Sequence, residues 1–284
     1  MDTKQSNVKL VIAGLLLGLF ASALDQTIVS TAMAGIIKKL GGMDKFVWVY
    51  SAYMIAMVVS TPIFGKLSDM YGRKRFFLMG LTLFVIGSVL CGTSVNMEQL
   101  IVYRAVQGIG AGALTPIVFT IIFDLFPQEK RGKMMGLFGA VFGMSSVFGP
   151  ILGALITDNI SWRWIFYINV PIGLLSFLFI LRGYKESPNH RKASIDWIGA
   201  ILLAASVLFL MFALELGGSD GWAWGSANII SFFAASGVLL LAFLARERAA
   251  KEPIIALGLF KNRVFTSSMM ISFLYGGVMI AAAT

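Results

Sequence analysis

Charge is scarce in this chain. Asp, Glu, Lys and Arg make up 13% of its 284 residues, against about 25% in an ordinary soluble protein. A soluble fold of this length needs polar side chains for its surface, so a water-soluble enzyme and a disordered chain are excluded. Cysteine occurs once, at Cys91, which excludes a disulfide scaffold and a cysteine-based metal cluster. Histidine also occurs once, at His190. There is no His/Glu metal set, no Ser–His or Cys–His pairing and no phosphate loop, so an intramembrane enzyme lacks its chemistry. No metal and no cofactor are expected.

What is abundant is apolar. Hydrophobic residues make up 58% of the chain and the mean hydropathy is +0.84, the composition of an all-α, polytopic membrane protein. Crossing the hydrocarbon core takes about 20 apolar residues in a helix. Nine windows qualify: 10–34, 46–65, 76–95, 99–123, 134–157, 164–182, 196–216, 228–245 and 264–284. Ala21-Ser22-Ala23 has the look of a signal-peptidase site, but the apolar run continues past it, so Asp25 belongs to a mature first span. The last window has no polar tail before Thr284, which reads as a chain stopping inside a span.

The net charge of +9 would suggest nucleic acid in a soluble protein; here its placement matters more. Eighteen of the 23 basic residues fall at Lys4 and Lys9 or in the loops after spans two, four, six and eight. Four lie in the alternate connections, at Lys38, Lys39, Lys45 and Arg163, and Arg104 lies within a span. By the positive-inside rule the N-terminus and the basic loops are cytoplasmic. The charge is therefore topology, with some affinity for anionic lipid, and no nucleic-acid partner is expected.

Ionisable residues inside a span are costly and mark functional positions by default. Asp25 is 15 residues past Leu10, roughly 22 Å into the membrane and about 8 Å from the outer face. Arg104 is six residues past Glu98, roughly 9 Å below that face. Matching depth suggests that Asp25 carries a proton whose release Arg104 biases, or that the two form a static packing pair. Gln26, Thr27, Ser30 and Thr31 flank Asp25 and favour a hydrated cavity. Glu215, beside Gly217 and Gly218, reads as a solvated helix end. In the fifth span Gly136, Gly139, Gly143, Ser146, Pro150 and Gly153 recur at heptad-like spacing, with Gly149 beside the proline. Such a stripe allows close backbone approach, and Pro150 favours a kink.

Residues 65–75, GKLSDMYGRKR, carry Gly65, Asp69, Gly72 and Arg73 in a spacing that a plain basic loop does not need. This segment resembles the signature loop between helices two and three of the major facilitator superfamily. Arg104, Gln107, Gly108 and Gly110 match that superfamily's helix-four motif. Residues 139–153, with Gly139, Gly143, Gly149, Pro150 and Gly153, resemble its helix-five antiporter motif. Asp25-Gln26-Thr27-Ile28-Val29 and residues 162–173, WRWIFYINVPIG, resemble its fourteen-helix drug:proton antiporter group. The five motifs come in the right order, and the similarity covers about residues 8–284. It departs at Ser30-Thr31-Ala32-Met33-Ala34, where the group has an Asn-Val-Ala-Leu-Pro type of run.

The resemblance implies a cytoplasmic tail (1–9), a six-helix bundle of inverted three-helix repeats (10–182) and a cytoplasmic loop (183–195). Two inserted helices (196–245), a second cytoplasmic loop (246–263) and the first helix of a second bundle (264–284) follow, roughly the first 60% of a transporter. It implies alternating access in a bacterial plasma membrane, with a lipophilic, cationic drug or biocide exported against inward proton flow. Asp69, Arg73 and Asp124 would form a cytoplasmic charge cluster that stabilises the outward-facing state; local loop capping is the plainer reading of those residues. A proton-coupled metabolite carrier and a truncated product without transport of its own remain alternatives, and the oligomeric state is open.

Overall fold

The computed structural model describes residues 6–186, 196–217, 222–250, 253–255 and 257–283. Lys4, Gly218, His190, Arg191, Lys192, Lys251 and Thr284 lie outside the described residues. Those residues form helices and connecting turns, with no strand among them. In chain order the helices are α1 (Val8–Leu40), α2 (Phe46–Tyr71), α3 (Arg73–Thr93), α4 (Met97–Leu125), α5 (Gln128–Asn159), α6 (Trp164–Tyr167), α7 (Asn169–Gly183), α8 (Trp197–Leu216), α9 (Ala227–Ala249) and α10 (Arg263–Ala283). A 3-10 turn at Leu257–Lys261 precedes α10. Among the described residues eight segments are long and apolar enough to cross a membrane, α6 and α7 counting as one. The window at 264–284 is occupied by α10.

Local chemistry sets the ends. Asn7, Asn96 and Ser226 cap α1, α4 and α9 by accepting backbone N–H bonds from Leu10, Gln99 and Ile229. The α2–α3 turn has room for no side chain at Gly72, where φ is +112° and an added Cβ would meet the Glu186 carboxylate. The sixth span breaks between α6 and α7 because Pro171 has no N–H to offer the Tyr167 carbonyl. Pro150, expected to disturb its helix, lies inside an uninterrupted α5.

Packing follows a regular scheme. α1 packs on α5 and α7, while α4 packs on α2 and α3. Exchanging spans one to three for four to six turns the first pairing into the second, the relation expected of two three-helix units about a two-fold axis. α8 and α9 pair with each other, and α8 rests against α2. Asp25 stands between two buried clusters on α1. One is built on Leu15, Leu19, Phe77, Phe84 and Leu114, the other on Ile28, Ile36, Val49, Leu100 and Phe166.

The basic connections meet at one end of the bundle. Ser6 donates to the Lys185 carbonyl and Asn7 N–H to the Gly183 carbonyl. Lys74 Nζ donates to the carbonyls of Leu181 and Tyr184, and Lys66 Nζ to that of Pro253. At the other end Lys45 pairs with Glu98 at 2.5 Å, and Arg163 donates to the Ser94 carbonyl at 3.0 Å.

Candidate functional site

Two polar centres stand out, one inside the bundle and one at its basic end. The inner centre begins with Asp25 and Arg104, which are 0% and 1% exposed and meet through Oδ2 and Nη1 at 2.5 Å. Asp25 Oδ1 accepts from Gln107 Nε2 at 2.8 Å and from Asn169 Nδ2 at 2.9 Å. Arg104 Nη1 also donates to Gln107 Oε1, and Nε donates to the Val49 carbonyl at 3.2 Å. Its guanidinium carbon lies 4.1 Å from the centroid of the Tyr53 ring, a cation–π contact. Tyr53 Oη shares a hydrogen bond with Ser22 Oγ. Ser88 Oγ accepts from Gln107 and Asn169 and donates to the Phe166 carbonyl. Cys91 Sγ donates to Gln107 Oε1.

The network thus joins α1, α2, α3, α4, α6 and α7 around one carboxylate. All three of its hydrogen bonds come from donors, so the charged carboxylate has partners on both oxygens. One acceptor in the cluster is idle: Asn169 Oδ1 is buried without a hydrogen-bond partner. A proton on Asp25 would turn a carboxylate oxygen into a donor and remove the charge that Arg104 faces.

Asp25 itself is fully buried and takes its partners from other helices, while of Gln26, Thr27, Ser30 and Thr31 the last two are exposed. Gln26 donates back to the Ser22 carbonyl. Thr27 and Thr31 turn into the seam with α5, where Thr27 donates to the Ser145 carbonyl at 2.9 Å and where Gly149 and Gly153 make room for both. The helical period accounts for this, since a residue and its next neighbour point about 100° apart. α1 runs on to Leu40, where Gly41 ends it, so Asp25 lies 17 residues from Val8 and 15 from Leu40, near the helix centre.

The glycines sort into two groups. A Cβ on Gly108 would meet the Tyr53 backbone of α2, and one on Gly110 the backbone of Phe84 and Gly80 on α3. These two set the close approach of α4 to both neighbours. Gly149 and Gly153 do the same for α5 against α1. Among the described residues the other half of the expected stripe has no neighbour: Gly136, Gly139 and Gly143 are exposed, with open space where a Cβ would stand. α5 meets α1 along only one face, and the upper glycines point off it.

At the basic end Arg73 donates to Asp69 Oδ1 at 3.2 and 3.3 Å, to the Thr120 carbonyl at 3.3 Å, and pairs with Asp124. Asp69, Arg73 and Asp124 therefore touch, bridging the α2–α3 turn and the end of α4, while Gly65 faces Pro116 of α4. Glu186, which sequence reasoning passed over, accepts the Lys74 N–H at the start of α3. Glu215 is more than a solvated helix end, because Ser51 Oγ of α2 donates to it at 2.6 Å.

Asn169, Ser88 and Tyr53 also escaped the sequence reading. Each is a lone polar group in an apolar span, and Asn169 sits within the segment 162–173 already noted for its resemblance.

The sequence model described as Major Facilitator Superfamily matches residues 15–284. The chain belongs to that superfamily. It is 60% identical over its whole length to multidrug resistance protein 3 of Bacillus subtilis, covering 56% of that protein. It is 41% identical to the multidrug transporter protein MdtP of the same organism, covering 52% of it. Among solved structures, the auto-inhibited POT family peptide transporter aligns over 84% of this chain and 52% of its own, with a TM-score of 0.59 at 16% identity. PepTSo, also of the POT family, aligns over 90% of this chain with a TM-score of 0.58 at 14% identity. These likenesses establish a multi-pass membrane protein of a transporter family. The chain spans about half the length of the two Bacillus relatives.

Proposed function

We propose that this chain is part of a proton-driven exporter of lipophilic, cationic drugs or biocides that works by alternating access in a bacterial plasma membrane, with its N-terminus cytoplasmic. The observation that carries the reading is the fully buried Asp25–Arg104 pair, tied to Gln107 and Asn169. A proton on this carboxylate would change what each of its partners meets. Charged, it holds Arg104, Gln107 and Asn169; neutral, it loses the ion pair and can offer a proton to the idle Asn169 oxygen after the amide turns over. That exchange loosens contacts among α1, α4 and α7, which is how proton binding would bias a helix rearrangement. The names of the Bacillus relatives support drug efflux.

The exposed apolar face of α5, with Phe142, Met144, Val147, Phe148 and Ile151 beside Gly139 and Gly143, supports a second bundle closing over it. Asp69, Arg73 and Asp124 would latch the basic end in the outward-facing state. Complete burial of Asp25 and Arg104 also favours a second reading, in which the pair is a fixed clamp that holds helices together.

Efflux of ethidium from everted vesicles carrying the protein at its full native length tests the transport reading. In the transport reading Asp25→Asn abolishes efflux driven by an imposed proton gradient while the protein stays in the membrane at normal level. Gradient-driven efflux that survives this exchange rules out the proton role of Asp25.

A further inference from the structure

Three of the four basic residues expected at the end opposite the basic loops converge on one cavity. Its volume is about 540 Å³, and Lys38, Lys39, Thr157, Asp158, Trp162 and Arg163 are among its lining residues. The last turn of α1 supplies the two lysines, the end of α5 supplies Thr157 and Asp158, and the turn before α6 supplies Trp162 and Arg163. Arg163 is held in place by the Ser94 carbonyl and by the Trp162 ring, 4.5 Å from its guanidinium carbon. Lys38 and Lys39 are exposed and have no acid or hydrogen-bond partner among the described residues.

Lysines in a last helical turn also complement the helix dipole, and that accounts for Lys38 and Lys39 without any ligand. It does not account for two other features. Trp162 is 3% exposed, and its indole Nε1 is buried with no acceptor. Thr157 Oγ1 is likewise buried with no partner. An indole N–H can only donate, so its need is for an acceptor. Three cations and a single acid, Asp158, line the cavity, and Thr157 and Trp162 beside them each carry a buried polar group without a partner. The chemistry missing from this cavity is an anion with several acceptor oxygens.

We propose that the cavity binds a phosphate group, the feature shared by an anionic phospholipid headgroup and a soluble phosphate ester. Arg163 offers its planar fork and the lysines offer point charges, the usual division of labour in phosphate binding. A water's share of liquid volume is about 30 Å³, so the cavity has space for a phosphate with organic substituents.

The test uses the protein at its full native length, purified in neutral detergent, titrated with inorganic phosphate and with dihexanoylphosphatidylglycerol and followed by calorimetry. The comparison variant, Lys38→Gln/Lys39→Gln, changes two exposed side chains and leaves the packing of Trp162 and Arg163 alone; its elution in gel filtration checks the fold. Saturable binding is expected, weakened about tenfold in the double variant as two charge-assisted contacts are lost. Binding of the lipid alone assigns a headgroup site, and binding of both probes assigns a site for soluble phosphate as well. The proposal fails if neither probe saturates, or if the double variant binds with unchanged affinity.

Discussion

Replacing Asp25 by Asn leaves Arg104 charged, 1% exposed and without a counter-ion. Removing one partner of a buried ion pair costs about 3–5 kcal/mol. Three features of the site place the loss near the lower figure. The Val49 carbonyl still accepts from Arg104 Nε, and the Tyr53 ring still faces the guanidinium. The new amide keeps an oxygen that can accept from Gln107 or Arg104. The double exchange Asp25→Leu/Arg104→Met removes both charges while keeping apolar volume. Such replacements are often neutral or stabilising, so the double variant should regain most or all of what the single one loses. Thermal unfolding of the purified chain in detergent, read by tryptophan fluorescence, measures both. A double variant as unstable as the single one would refute the claim that an unpaired buried charge is the source of the loss. A single variant that melts with the wild type would refute the pairing itself.

The glycines provide a contrast within one fold. Gly108→Ala sets a methyl against the Tyr53 backbone and should cost about 1–3 kcal/mol or more by overpacking, whereas Gly139→Ala enters open space and should be neutral or slightly stabilising; the same melts rank them. Asp196, the cap of α8, gives a pH prediction. Burial raises its carboxyl pKa, but the Gly199 N–H and Arg246 outweigh burial and hold it below its ordinary value. A depressed carboxylate adds stability above its unfolded pKa and loses it as pH falls through the folded one. Asp196→Asn should therefore melt below wild type near neutral pH, with the gap closing as pH drops below about 4.

Much of the polar chemistry was legible because it breaks an otherwise apolar text. Asp25 and Arg104 stand out as charges inside spans, and counting residues from the span ends brought them to similar depth. The count could not tell which way Asp25 faces. Its donors include Asn169, 144 residues later in the chain, and no local pattern links the two. The α5 stripe is matched only in part by the described residues. Small residues at heptad spacing signal close approach only where a neighbouring helix lies on that face, and among the described residues α1 covers only the part at Gly149 and Gly153. Glu215 misled by position, since a helix end beside glycines reads as solvated until Ser51 of α2 is found against it.

The sequence by itself determined the solvent, the spans and the sorting of basic residues, because each depends on composition along a short window. Only the tertiary structure decided which faces of the helices meet. In a soluble helix the apolar stripe points to the core; in a bilayer both the lipid side and the core side are apolar, so that signal vanishes. What remains to set the packing is backbone approach at Gly108, Gly110, Gly149 and Gly153, together with the need of one buried carboxylate for donors. Both are met by partners distant in the chain, and they become visible only when the helices are assembled.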